Sequence, residues 1–383
     1  SFRLAAPGNL AADQLNGAVL SESGPRLVFV DGVFNEDLSS APAANGSAGN
    51  CLVCTSLAAA MKSPSKAIEE HLGRLADARR NAFVALNTAF LRDGAFIEIP
   101  AGLALEKPVH VIHARSEGAE GTATHPRTLV IAGREAQATV IESYIGAAKE
   151  AYFTNAVTEV VAGENASVEH VKIQLESEAA FHTGTVQALQ ARSSRFHSYS
   201  VSLGARLARH DINTILAGEG GECTLCGLYQ VSGKQHVDHH TRLDHAMPHC
   251  SSREYYRGIL DGKSTGVFNG AIIVRKDAQK TDAIQSNKNL LLSDDAVINT
   301  KPELQILADD VRCTHGATIG QLNADAIFYL RARGIGLEAA RRLLTRAFAS
   351  DVISRIGSPV VREFLEAKLL ARLSEGWKAK EVV

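Results

Sequence analysis

The chain has 383 residues, 45% of them hydrophobic and 21% charged, with a formal charge of −2. That balance belongs to a globular protein with room for a sizeable core, and it gives no global electrostatic case for nucleic acid or an anionic membrane as partner. No apolar run approaches the roughly 18 residues of a spanning helix. Ser1-Phe2-Arg3-Leu4 has no signal-peptide core, and a start without Met leads us to expect trimming. Six cysteines are too few for a disulfide scaffold and are expected as reduced thiols in a cytoplasmic protein.

The N-terminal stretch is irregular. Arg26 to Phe34 predicts a hairpin around Asp31-Gly32. Ser39 to Asn50 is rich in Ser, Ala, Gly and Asn and predicts a mobile loop. Ser63-Pro64 predicts a helix start, with Ile68, Leu72 and Leu75 and then Phe83, Leu86 and Phe90 along one face until Asp93-Gly94. No chemistry is assigned to this region. Cys51 and Cys54, like Cys223 and Cys226 further on, form a Cys-x-x-Cys pair. Their distance in sequence is far outside zinc-ribbon spacing, and in a strand Cys223 and Cys226 face opposite ways, so both pairs are read as structural thiols.

From Ala95 to Leu307 the period changes to two. Short strands are expected at Phe96–Ile99, Val109–Ile112 and Thr128–Ile131. Gly133 to Val140 resembles Gly163 to Val168, 30 residues on, and similar turn-then-strand units begin at Arg192, Gly218, Asp261 and Asp294. Such a period argues for a β-solenoid, with a β-sandwich as the alternative.

Three features in the second half carry candidate chemistry. On a strand, His236, Asp238 and His240 share a face and could hold a metal, with His239, His245, His249 and Cys250 nearby. The plainer reading, which we favour, is a stack of mutually hydrogen-bonded polar side chains. Gly262-Lys263-Ser264 imitates the end of a phosphate loop, but Arg257 stands where that loop needs Gly, so nucleotide binding is rejected. Cys313 and His315 are two apart, so a strand puts them on one face, where thiolate and imidazole can bind iron or zinc. The alternative is a packed thiol beside a satisfied imidazole.

After Gly320 the pattern is helical. A first helix carries Ile327 and Leu330 and closes at Gly334-Ile335-Gly336. A second begins at Leu337 with Ala340, Leu344, Ala347 and Phe348 as its apolar stripe. A third begins at Ser358-Pro359 and carries Val361, Phe364, Leu365, Leu369 and Leu373. With Arg331, Arg333, Arg341, Arg342 and Arg346 on the polar side, these helices read as a cap over the solenoid end, a partner-docking surface, or both.

The run from His236 through Cys313-Thr314-His315-Gly316 to Gly334 resembles the SufB/SufD proteins of iron–sulfur cluster assembly, with a weaker echo from Ala85 to Val111. Gly316 after His315 is similar to the SufD branch, since SufB-like chains usually carry Glu there and are longer. The resemblance implies a mainly β fold: a right-handed β-helix core (95–320) between an α/β N-terminal accessory region (1–94) and a C-terminal α-helical domain (321–383). It implies a non-enzymatic scaffold subunit of a SufBCD-type complex. The β-helix would pair with a SufB-like subunit, or with a second copy when SufB is absent. A SufC-like ABC ATPase would dock on the C-terminal helices, where Leu337, Leu344, Ala347 and Phe348 are the candidate contacts. A transient iron–sulfur cluster would sit at the SufB contact on His315, with Cys313 as second ligand or packing thiol, and none would stay on the chain alone. Two rivals make different demands. A carbohydrate-active β-helix enzyme needs an acid pair in an open groove, and an autonomous metal protein needs the His-rich run to bind metal unaided.

Overall fold

The computed structural model describes residues 2–15, 17–20, 24–40, 51–146 and 150–378, the side chains of 374–378 excepted. Two long sheets face each other, and the chain alternates between them. The first contains the parallel strands Ala95–Ile99, Arg127–Ala132, Phe153–Ala162, Phe181–Gln190, Leu207–Leu216, His236–His245, Thr265–Val274 and Val297–Ile306. The second contains Arg26–Val30, Val109–Arg115, Gln137–Gly146, Ser167–Leu175, Arg195–Ser202, Glu222–Val231, Ser251–Leu260, Asp282–Leu291 and Arg312–Gly320. Among the full-length strands, register partners lie from 26 residues apart (Phe181 opposite Leu207) to 32 (Thr265 opposite Val297). The fold is therefore a β-solenoid, and the sandwich alternative is set aside.

Side-chain alternation builds its interior. In Leu207–Leu216, Ala208, His210, Ile212, Thr214 and Leu216 are buried while the residues between them are half-buried. One corner of each coil turns through a left-handed residue: Glu135, Asn165, Ser193, Gly220, His249 and Lys280. Each of these donates its backbone N–H to a carbonyl of the next coil, as Asn165 does to Arg192 at 2.9 Å. The repeat visible in the sequence is thus a stack of hydrogen-bonded corners. Gly262 sits at a corner too (φ 65°), and the Ser264 hydroxyl faces the Val231 carbonyl, so the phosphate-loop imitation is a solenoid turn.

The N-terminal end is closed. Strand Val33–Ser40 runs antiparallel to Arg26–Val30 across the expected Asp31-Gly32 turn, and Val53–Ser56 runs antiparallel to Ala95–Ile99. Both outer strands cover an edge that would otherwise offer unpaired backbone groups. The expected loop at Ser39–Asn50 begins inside the first of these strands, and its residues 41–50 lie outside the described residues. The single helix expected from Ser63 is instead two short ones, α2 (Lys66–His71) and α3 (Ala82–Ala89), and a further short helix, α1 (Leu57–Ala60), precedes them. Ser65, not Ser63, caps α2. Asp93 explains the ending: its carboxylate accepts from Ser56 Oγ and from the backbone N–H groups of Phe34, Ala58 and Gly94. A Cβ on Gly94 would lie 1.8 Å from the Arg127 carbonyl, so the tight approach there needs glycine. Arg127 and Glu159, both buried, tie this region to the solenoid flank. Glu159 pairs with the guanidinium at 2.8 Å and accepts from the N–H groups of Gly73, Leu75 and Ala76.

The C-terminal helices are α4 (Ala324–Arg331), α5 (Leu337–Ile353) and α6 (Pro359–Lys378). They do not cap the solenoid end, which corrects that expectation. α5 and α6 pack along the outer face of the second sheet, where Ala349, Val352, Ile353, Val361, Leu365, Leu369 and Leu373 meet Val171, Val201, Cys226, Leu228 and Ile259, while α4 buries no residue. The sheet offers this apolar outer face, so the helices lie on its flank and the far end stays open. The inward line of α5 is Ala340, Thr345, Ala349, Val352 and Ile353, rotated from the expected stripe.

Candidate functional site

At the open end, Val297–Ile306 and Arg312–Gly320 terminate their sheets, each paired on one side only among the described residues. Both strands are largely exposed, and Val297, Ile306, Leu307 and Ile319 are 39 to 57% accessible. The first strand carries Lys301-Pro302-Glu303 at its centre, residues that discourage further pairing. The second carries none of these.

Cys313 lies in register with Ala283, and His315 with Gln285. Ala283 and Gln285 are buried between the sheets, so alternation puts Cys313 and His315 on the inner face of the last strand, as the sequence predicted. Cys313 is half-buried against the end of the core, and that burial raises its thiol. His315 is exposed. Among the described residues no group of three or more His, Cys, Asp or Glu is arranged to hold a metal. Cys313 and His315 therefore offer at most part of a ligand set, and further ligands would have to come from outside these residues.

A column of inward polar groups runs below them. Glu254 is in register with Gln285, and Gln285 Nε2 donates to Glu254 Oε2 at 2.5 Å. Tyr229 donates to Asn289 Oδ1 at 2.6 Å. The rings of His182, His210 and His239 stack at centroid distances of 5.3 and 5.2 Å, and Tyr229 stacks on His239. Deeper still, His170 Nε2 lies 2.8 Å from Glu142, and His182 Nδ1 lies 2.6 Å from Glu176. Burial opposes ionisation of Glu142, yet His170, His113 and Thr128 hold its carboxyl well below the usual range. Burial drives Lys172 down to about 7, against the pull of Glu142 and Glu176. Sequence reasoning missed this column. Its signal was present, since His182, His210 and His239 recur at 28 and 29 residues, the coil period.

The His-rich run is divided by alternation. Asp238 faces outward and is held between Arg209 at 2.6 Å and His240 at 2.8 Å, while His239 faces inward. The polar-stack reading fits, and the metal set does not form. Cys223 faces the interior and Cys226 the helices, as expected for opposite faces. None of the six cysteines is in a disulfide, and burial pushes Cys54 and Cys226 up to about 12. Those buried thiols are poor ligands and poor nucleophiles.

Of the candidate docking residues, Leu337 and Ala347 are exposed and Leu344 is half-buried. Phe348 is half-buried against the flank, with the Arg257 guanidinium 5.9 Å from its ring. Leu343 (46%), Phe328 (75%) and Tyr329 (57%) add apolar surface nearby on α4 and α5. Among the described residues no helix is long and apolar enough to cross a membrane.

The fold is a β-solenoid whose open end carries the Cys313–His315 pair. The SUF system FeS cluster assembly SufBD core domain matches residues 113–348, and the SufBD protein N-terminal region matches residues 25–111. The chain belongs to the SufB/SufD family of iron–sulfur cluster assembly proteins. An iron–sulfur cluster assembly SufBD family protein of Synechocystis is 38% identical over 339 residues, covering 86% of this chain and 74% of that protein. The iron–sulfur cluster assembly protein SufD of Escherichia coli is 30% identical over 372 residues, covering 96% and 84%. SufD of Bacillus subtilis is 27% identical over 278 residues, covering 71% and 62%.

Proposed function

We propose that this chain is a SufD-type scaffold subunit that pairs, through its open solenoid end, with a SufB-like subunit and presents His315 and Cys313 to a nascent iron–sulfur cluster. The observation carrying this reading is the asymmetry of the solenoid. Antiparallel strands cover the sheet edges at the N-terminal end, while among the described residues strand Arg312–Gly320 keeps a free edge, bears the candidate ligand pair and contains no edge-blocking Pro or Lys. A ligand set split between two chains suits a transient cargo, because separating the chains opens the site. His315 is the first ligand, since it is exposed, and Cys313 the second, since burial disfavours its thiolate.

The chain itself turns over no substrate; ATP hydrolysis belongs to a SufC-like ABC ATPase that docks on α4 and α5 around Leu337, Leu344, Ala347 and Phe348. Support for that docking is the exposed apolar surface there, with Phe328 and Tyr329. Without a SufB-like partner the same edge would pair two copies of this chain. The setting is the cytoplasm, and the accessory region, solenoid and helices act as the three units 1–94, 95–320 and 321–383.

The test is His315→Ala in a complex reconstituted with the SufB-like and ATPase subunits. Cluster yield is expected to fall while the complex elutes intact, and Cys313→Ser is expected to have the smaller effect. Normal yield from His315→Ala would remove the assignment.

A further inference from the structure

The interior directly beneath His315 is built in a way that packing alone does not require. Gln285 is in register with His315, and Glu254 with Gln285, so the three side chains occupy successive rungs of one inward column. Gln285 is 1% exposed and Glu254 fully buried. The Gln285 amide is oriented by its Nε2–H donation to Glu254 Oε2 at 2.5 Å. Its carbonyl Oε1 is buried and has no partner among the described residues. Space for this side chain comes from the opposite sheet, where a Cβ on Gly270 would lie 2.3 Å from Gln285 Nε2. A buried amide carbonyl without a donor is costly, so a fixed amide with a free acceptor invites an N–H from the neighbouring rung.

We propose that Gln285, oriented by Glu254, is a positioning residue for His315: the exposed imidazole, which does not bond Oε1 in this structure, turns onto it by side-chain rotation, so that Oε1 accepts one ring N–H, fixes the tautomer and leaves the other ring nitrogen unprotonated toward the open end. This rests on the reading of His315 as a cluster ligand. Ligating histidines are commonly held this way, with the second ring nitrogen donating to a carbonyl or carboxylate. Glu254 acts only through Gln285. Breaking its bond frees the amide to rotate, and the imidazole then loses its acceptor.

The test uses the full chain without partners, labelled with 15N-histidine, the His315 signals being those absent from His315→Ala. In the wild type His315 is expected as one dominant tautomer. In Gln285→Met, close in shape but without the acceptor, the tautomer ratio should shift by roughly 3- to 10-fold, the effect of one ordinary hydrogen bond. Glu254→Leu should shift it in the same direction and by less. A wild-type His315 showing the ordinary tautomer mixture overturns the proposal even if neither variant folds, and so does an unchanged ratio in folded Gln285→Met. Cluster yield separates this from the function itself: if His315→Ala assembles clusters normally while the tautomer shift is observed, the ligand reading fails and the positioning contact stands.

Discussion

The two ends of this solenoid are made from the same kind of strand and are finished in opposite ways. At the N-terminal end, the outermost strand of each sheet among the described residues is an antiparallel one, and a buried ion pair ties the neighbouring segment to the solenoid flank. At the C-terminal end, among the described residues, the last strand keeps a free edge, the apolar residues Val297, Leu307 and Ile319 are exposed, and the helices α5 and α6 lie along the flank. A solenoid needs both ends covered to be soluble and stable. On the proposed reading the uncovered end is where a partner completes the fold, and the candidate ligands lie there.

The largest effect that would sharpen this contrast is at the closed end. Glu159→Ala leaves Arg127 buried without its carboxylate and strands three backbone donors, so the chain should lose about 3–5 kcal/mol in urea unfolding. A loss below about 1 kcal/mol would mean that the closed end is not locked as described. Next comes Glu254 in the lumen. Burial raises its carboxyl to about 7. A carboxyl raised in the folded state gives stability that is complete below the unfolded value of about 4.3 and is lost as pH rises through the folded value. Glu254→Gln should therefore stabilise the chain by up to about 3 kcal/mol at pH 8 and change little at pH 4. A variant with no pH-dependent gain would place Glu254 in wetter surroundings.

Smaller still is the cap of α2. Ser65→Ala removes the side-chain acceptor for the Ile68 N–H and should cost about 1 kcal/mol, read as a lowered urea midpoint. The smallest effect on the free chain is at the open end. Ile319→Lys replaces a residue 51% exposed and should change stability by less than about 0.5 kcal/mol. A large loss there would mean that Ile319 supports the solenoid itself.

Much of this architecture was legible because the corners repeat. The Gly-x-x-Ala turns at Gly133 and Gly163 announced the coil length, and the structure adds that Glu135 and Asn165 in those turns are left-handed. Cys313 and His315 were placed on one face by alternation alone, and the Gly262 stretch, denied to phosphate on its spacing, forms a solenoid corner. Other features depended on contacts that sequence spacing does not carry. The long helix expected from Ser63 broke into two because Glu159, from a distant strand, collects the backbone donors of Gly73, Leu75 and Ala76 between α2 and α3. The phase of α5 was set by the apolar outer face of the second sheet, so Thr345 and Ala349 turned inward and Ala347 outward. The Glu254–Gln285–His315 column escaped notice because its members are about 30 residues apart and of three chemical types.

The most direct measurement of the central claim is light scattering after size exclusion of the chain mixed with the SufB-like subunit from the same source, for wild type and Ile319→Lys. The account predicts a wild-type heterodimer, and separate elution of the folded variant. A variant that pairs as well as the wild type would contradict the assignment of the open end as the interface.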